Sequence, residues 1–244
     1  MHLSGKGVII TGSAVRLGNA ISRELAGTGA RLFCHYHSSR RQAHILEQEL
    51  RNLGSVCHFF QADLTSISQI KKMIEQAYLK LGRIDVLINN AAVFYKTPLG
   101  QVSEAEWDSF MNLNLKAPFF LAQEASRFMQ QQGGGKIVNI ADAGAIRMFP
   151  GYLPYSVSKA GVVALTTGLA KALAPNIQVN CVNPGPVLMS EELSESERAF
   201  ALEQTLLKRE GHPDDIARTV RFILEGTDYM TGAVIPVDGG RQIR

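Results

Sequence analysis

Cysteine is scarce in this chain and scattered. Cys34, Cys57 and Cys181 are odd in number and far apart, which suits neither a disulfide framework nor a zinc ligand pair. They read as reduced core thiols and imply a cytoplasmic setting. Long apolar runs are missing too: stretches such as Val8-Ile9-Ile10 fall far short of the roughly 18–20 residues of a membrane span. The start, Met1-His2-Leu3-Ser4-Gly5-Lys6-Gly7, has no apolar segment or small-residue cleavage site, so a soluble, unexported protein is expected. Nor is charge concentrated. The net +3 comes from scattered Lys and Arg, which gives no reason to expect nucleic acid and leaves room only for a local anionic ligand. The six histidines lack ligand spacing, so no metal is expected, and His37 and His212 read as loop residues.

With 45 % hydrophobic and 19 % charged residues over 244 positions, the composition excludes disorder and rods and allows one substantial core. Short Val/Ile-rich runs alternate with longer amphipathic stretches. Strands are predicted at Gly7–Thr11, Arg31–Tyr36, Val56–Gln61, Val86–Asn89, Lys136–Ile140, Gln178–Asn183 and Ala233–Val237. Helices are predicted at Leu17–Thr28, Arg40–Leu53, Ile67–Leu81, Glu104–Gln131, Ser156–Ala174 and Pro213–Leu224. Strands joined by crossover helices must run parallel, and continuously apolar strands are covered on both faces. The expected class is therefore α/β: one doubly wound domain over 1–244 with a seven-stranded, mostly parallel sheet and helices on both sides. Gly133-Gly134-Gly135 reads as a turn. Pro186–Glu210, with Glu191, Glu192, Glu195 and Glu197, is either a lid over a site or a solvated acidic helix.

Thr11-Gly12-Ser13-Ala14-Val15-Arg16-Leu17-Gly18 follows the first strand and opens the first helix, where backbone N–H groups and a helix N-terminus face an anion. Gly12 supplies the turn and Gly18 the close packing, but Arg16 stands where a nucleotide-binding loop usually has another glycine. Its guanidinium fork suits phosphate or a planar acceptor-bearing ligand. The second strand ends in Cys34-His35-Tyr36-His37-Ser38-Ser39-Arg40-Arg41, without the carboxylate that grips the ribose hydroxyls of NAD. His37, Ser38, Ser39 and either Arg40 or Arg41 make a donor-rich pocket suited to the 2′-phosphate of NADP; the competing account is an N-capping Ser39 with solvated arginines. Asp63, in Ala62-Asp63-Leu64-Thr65, either accepts from an adenine amine or caps a helix.

Tyr155 and Lys159 lie one helical turn apart, so the ammonium is expected to lower the phenol pKa and fit the phenol for acid catalysis. Asp142, at the end of the fifth strand, faces the same crevice. It would raise the Tyr155 pKa and oppose Lys159 unless substrate or water satisfies it.

From end to end the chain resembles the short-chain dehydrogenase/reductase family. The resemblance rests on the Thr11–Gly18 loop, Asn89-Asn90-Ala91-Ala92, Asn114, Tyr155 with Lys159, Pro184-Gly185 and Val237-Asp238-Gly239-Gly240, all in family order. It implies a Rossmann fold with Tyr155 as proton donor and Lys159 on the nicotinamide ribose. It implies that Asn114 supports a relay water, and that Gly12, Arg16, Leu17, Leu64, Asn90, Ala91, Ala92, Pro184, Gly185 and Val187 line the cofactor. Two departures narrow it: Arg16 for the middle glycine, and Asp142 where most members carry serine. With His35-Tyr36-His37, Phe94-Tyr95 and Thr97-Pro98-Leu99 these look like the pteridine reductase branch, and Gly239–Arg244 is similar to its dihydromonapterin reductases. That branch implies Arg16 on phosphate and pterin, Phe94 stacked on the pterin, and Asp142 working with Tyr155.

A pterin offers ring N–H and amino donors as well as acceptors, so a carboxylate beside a phenol matches it better than a serine does. The expected activity is NADPH-dependent reduction of a pterin C=N bond, dihydrobiopterin-, dihydromonapterin- or dihydrofolate-like. The alternatives are reduction of a 3-oxoacyl thioester or other carbonyl, and a non-catalytic NADP-binding module. The family resemblance also implies a homo-oligomer, a dimer or tetramer packed through the long helices Glu104–Gln131 and Ser156–Ala174.

Overall fold

The computed structural model describes residues 1–189 and 193–244. Seven strands, β1 Gly7–Ile10, β2 Arg31–Tyr36, β3 Cys57–Gln61, β4 Val86–Asn89, β5 Gly135–Ile140, β6 Ile177–Pro184 and β7 Val234–Val237, form one sheet in the order β3-β2-β1-β4-β5-β6-β7. Every pairing is parallel, so each connection is a crossover and both faces are covered.

Alternate residues of one strand serve opposite layers. Val8 and Ile10 of β1 pack with α1 (Arg16–Ala26), α2 (Arg40–Asn52) and α8 (Pro213–Glu225) through Ile21, Leu25, Leu46, Leu50, Ile216 and Val220. Ile9, between them, packs with α3 (Ile67–Leu81), α5 (Ala117–Gln131) and α6 (Leu153–Leu173) through Ile70, Leu121 and Leu169. Because β1 is followed outward by β2 on one side and neighboured by β4 on the other, the connections diverge between β1 and β4. A crevice opens there at the carboxyl ends of the strands.

The sheet and helices match the expected class, with three differences. First, the single helix predicted over Glu104–Gln131 is α4 (Glu104–Phe110), a π-helical segment Met111–Lys116, and α5. Pro118 has no N–H to give the Asn114 carbonyl four residues earlier, so the regular ladder cannot run through this point. Second, Gly133 and Gly134, at φ +93° and +131°, make the predicted turn, whereas Gly135 opens β5. Third, the Pro186–Glu210 region contains α7 (Glu195–Glu203), started by a reciprocal Ser194–Glu197 cap. It is an acidic helix, and it also roofs the crevice. Glu191 and Glu192 lie outside the described residues. No helix among the described residues is long and apolar enough to cross a membrane.

Candidate active site

A cleft of about 970 Å³ occupies the crevice, its walls running from His37, Ser38 and Ser39 at one end to Tyr155 and Arg241 at the other. At the β1 exit Gly12 holds φ +63°, and a Cβ there would lie 2.9 Å from Ala91 Cα. A Cβ on Gly18 would lie 2.0 Å from the Gly12 carbonyl oxygen, so both positions admit only glycine without moving backbone. Val15, the N-cap of α1, has no side-chain oxygen to offer. The first-turn N–H groups of Arg16, Leu17 and Gly18 have no intrahelical acceptor and border the cleft, which is the arrangement that takes an anion. Arg16 itself sits in the left-handed region at φ +53°, a conformation that costs a non-glycine residue about 1 kcal/mol. Its guanidinium donates to the Leu188 carbonyl, joining this loop to the segment after β6.

Two braces hold the loop. The Asn90 side-chain amide donates to the Thr11 and Gly12 carbonyls at 2.9 and 3.1 Å, and the Thr11 hydroxyl accepts from the Asn90 and Ala91 N–H groups. His35 is the other brace. Gly12 N–H donates to its Nδ1 at 3.1 Å, so Nε2 carries the proton and donates to the Ala62 carbonyl at 3.0 Å. Burial lowers its pKa to about 4, and the neutral ring ties the ends of β1, β2 and β3 together. This role was not read from the sequence; its signal is one histidine inside the apolar run of β2.

At the far end, His37, Ser38, Ser39, Asp63 and Leu64 line the cleft together as expected. Ser39 occupies the N-cap position of α2 but makes no capping bond, so the capping account fails and its hydroxyl is available. Arg40 and Arg41 do not line this cleft; they border a separate hollow with Tyr36, His44 and Phe59. Asp63 caps no helix either, since Ser66 is the N-cap of α3. Its carboxylate accepts from Thr65 N–H and Oγ1, at 2.9 and 2.8 Å, and those bonds hold its pKa below the usual range.

Asp142 and Tyr155 meet at the other end. Asp142 Oδ1 accepts from Gly144 N–H at 2.6 Å, which opens a short 3-10 turn at Ala143–Ala145, and Oδ2 accepts the Tyr155 hydroxyl at 2.9 Å. Lys159 donates to the Ile140 carbonyl at 2.8 Å, and its Nζ lies 5.8 Å from the Tyr155 ring centroid. Burial raises Asp142, and burial together with the Asp142 charge raises Tyr155 well above 10. Burial lowers Lys159 to about 8. The expectation that Lys159 lowers the phenol pKa is thus corrected: burial, together with the adjacent carboxylate, raises it, and Tyr155 stays protonated.

Asn114 is buried and does not reach the cleft. Its side chain accepts from Val93 N–H and donates to the Val93 carbonyl and to Ser158 Oγ, which in turn donates to the Tyr155 carbonyl. The π-helical segment therefore fixes the loop after β4 against the start of α6. Phe94 borders the cleft, but one face is already stacked on Tyr152, centroids 4.7 Å apart and planes 2° from parallel, and the Tyr155 ring stands steeply inclined to it at 4.7 Å. Pro184, Gly185 and Val187 line the wall beyond β6, where a Cβ on Gly185 would lie 2.6 Å from Asp238 Cα. Tyr152, Phe149 and Arg241 complete the wall and were not anticipated; Tyr152, three residues before Tyr155, is the one helical spacing could have flagged. From α7, Glu197 pairs with Lys96 across the opening.

Residues 12–242 match the family described as Enoyl-(Acyl carrier protein) reductase. The 3-oxoacyl-(acyl-carrier-protein) reductase FabG of Thermotoga maritima is 37 % identical over 244 residues, spanning 98 % of this chain and 99 % of that protein. Among solved structures, FolM alternative dihydrofolate reductase 1 of Brucella suis in complex with NADP superposes with a TM-score of 0.92 at 30 % identity, covering 99 % of this chain and 97 % of that one. A blue fluorescent protein from a metagenomic library in complex with NADPH gives 0.91 at 35 % identity over 99 % of each chain. The chain belongs to the short-chain dehydrogenase/reductase family, whose members are NAD(P)-dependent oxidoreductases.

Proposed function

We propose that this protein is an NADPH-dependent reductase of a pterin C=N bond, acting within one cofactor-binding and catalytic unit over 1–244. The observation that carries the reading is the 2.9 Å hydrogen bond between Tyr155 and a buried Asp142, in a wall that also holds the Phe94–Tyr152 stack. The cleft residues fit the cofactor: uncapped N–H groups at the α1 start for the pyrophosphate, and His37, Ser38 and Ser39, with no carboxylate where β2 ends, for a 2′-phosphate. When bound, NADPH supplies the hydride.

The chain supplies the proton and the fit. Tyr155 gives its hydroxyl proton to the ring nitrogen and is left as a phenolate, which the buried Lys159 ammonium stabilises until solvent restores the proton. Asp142 aims the hydroxyl and then accepts from the N–H and amino groups of the ring, donors that a simple ketone lacks. Phe94, stacked on Tyr152 and bordering the cleft, offers aromatic surface to a planar ring. A reduced, cytoplasmic homo-oligomer packed through α5 and α6 completes the reading, supported by Phe119 and Val157 lying exposed on those helices; light scattering of the purified protein tests it.

The FabG identity favours a second reading, reduction of a 3-oxoacyl thioester. NADPH consumption measured with dihydrobiopterin, dihydrofolate and an acetoacetyl thioester, with NADH as control, separates the two. Pterin turnover preferring NADPH is expected. Thioester turnover with inert pterins overturns the substrate assignment.

A further inference from the structure

The C-terminal turn brings a cation into the cleft that neither the phosphate loop nor the Tyr155 helix requires. Asp238, just after β7, accepts from Gly240 N–H at 2.9 Å and Gln242 N–H at 2.8 Å. The chain folds back so that Arg241 lines the cleft with Asp142, Phe149 and Ala201. Its guanidinium lies over the Phe149 ring, Cζ 4.6 Å from the centroid, and one Nη donates to the Ala201 carbonyl of α7 at 3.2 Å. Its Nε is buried and has no hydrogen-bond partner. That atom is shut away from the cleft as well as from water, so a ligand in the cleft would meet the Nη groups, one of which already donates to the Ala201 carbonyl. The neighbouring Arg147 differs, its donors being used on the Arg241 and Arg244 carbonyls and on Gln204.

Asp142 and Arg241 therefore line one wall, an acceptor and a donor close enough for each charge to act on the other. Such a pair matches a ligand edge that presents an N–H or amino group next to a carbonyl. The 3-oxoacyl end of a thioester has the carbonyls and lacks the donor. Resting on the pterin reading above, the geometry points to Arg241 as the residue that selects the substrate, its guanidinium donating to a ring carbonyl while Asp142 accepts from the adjoining ring donor. The substrate class is then a planar heterocycle with a lactam edge, and the planar fork of Arg241, stacked on Phe149, reads that edge in the plane of the ring.

The test is calorimetric titration of the NADP-loaded protein with dihydrobiopterin and with a diaminopteridine in which an amino group replaces the ring carbonyl, alongside turnover of dihydrobiopterin. The wild-type protein binds the carbonyl compound more tightly. Arg241→Met keeps the apolar contact with Phe149 and loses roughly tenfold or more in affinity for that compound only, so the ratio between the two ligands falls toward one; Arg241→Lys retains part of the preference. Arg147→Met loosens the same turn while leaving the Arg241 guanidinium in place, and it keeps the wild-type ratio. An unchanged ratio in Arg241→Met, in a protein that reduces dihydrobiopterin, overturns the Arg241 assignment alone. The same collapse in Arg147→Met reduces Arg241 to a structural role. A wild-type protein that binds neither compound and reduces the thioester removes the pterin reading together with this inference.

Discussion

At the residue scale, the proposed reaction draws on the proton held between Tyr155 and Asp142. With both groups raised by burial and Lys159 lowered to about 8, the free enzyme carries the proton and the stabilising cation together only below about pH 8. The kcat/KM profile for pterin is expected to fall above that value. The Asp142 charge favours the Lys159 ammonium, so Asp142→Ser moves this basic limb downward and lowers pterin kcat/KM by about tenfold or more; initial rates from pH 6 to about 9 check both. His35 gives a second pH effect, on stability. Its imidazole is protonated near 6.5 when unfolded and near 4 when folded, so between those values the unfolded chain binds more protons. Its contribution is complete above pH 6.5 and is lost as the pH falls toward 4, by at most about 3 kcal/mol. Urea unfolding of wild type and His35→Asn should show a stability difference that narrows over that window.

At the scale of elements, the turn from β1 into α1 and the π-helical segment are where local conformation serves the site. Gly18→Ala pushes a methyl group against the Gly12 carbonyl oxygen, and the loop must move. We expect NADPH affinity to drop by about tenfold or more with a stability loss of about 2–4 kcal/mol, read by fluorescence titration and urea melts. Asn114→Ala leaves both backbone groups of Val93 without their side-chain partner, with an expected cost of about 2–3 kcal/mol. Much of this was legible beforehand: the two glycines that need close approach, and the strand-to-helix order that fixes their place. The break at Asn114 is marked in the sequence only by Pro118, and the apolar period over Glu104–Gln131 outweighs one missing N–H. For Ser39 and Asp63 residue type left a helix cap open beside cofactor binding, and only the folded geometry, which gives neither a capping bond and sets both in the cleft lining, removes the cap.

Across the whole molecule, the helices and the sheet are tied by contacts between residues remote in the chain. Buried Lys136 of β5 donates to the Ile223, Leu224 and Thr227 carbonyls at the end of α8. Lys136→Met leaves those carbonyls without a donor, and we expect a loss of about 2–4 kcal/mol in urea unfolding with NADPH affinity unchanged. Such ties mark the limit of what could be read in one dimension. Strand and helix order, parallel pairing, the crevice and the set Gly12, Gly18, Tyr155 and Lys159 follow from periodicity, residue chemistry and short spacings, which are local properties of the chain. The direction of the Tyr155 pKa, the neutral His35 brace, the exclusion of Arg40 and Arg41 from the cleft and the entry of Arg241 into it were settled by folding. Each depends on distance and burial between groups far apart in the chain, and an electrostatic interaction takes its sign from residue type but its strength from where packing sets the two charges.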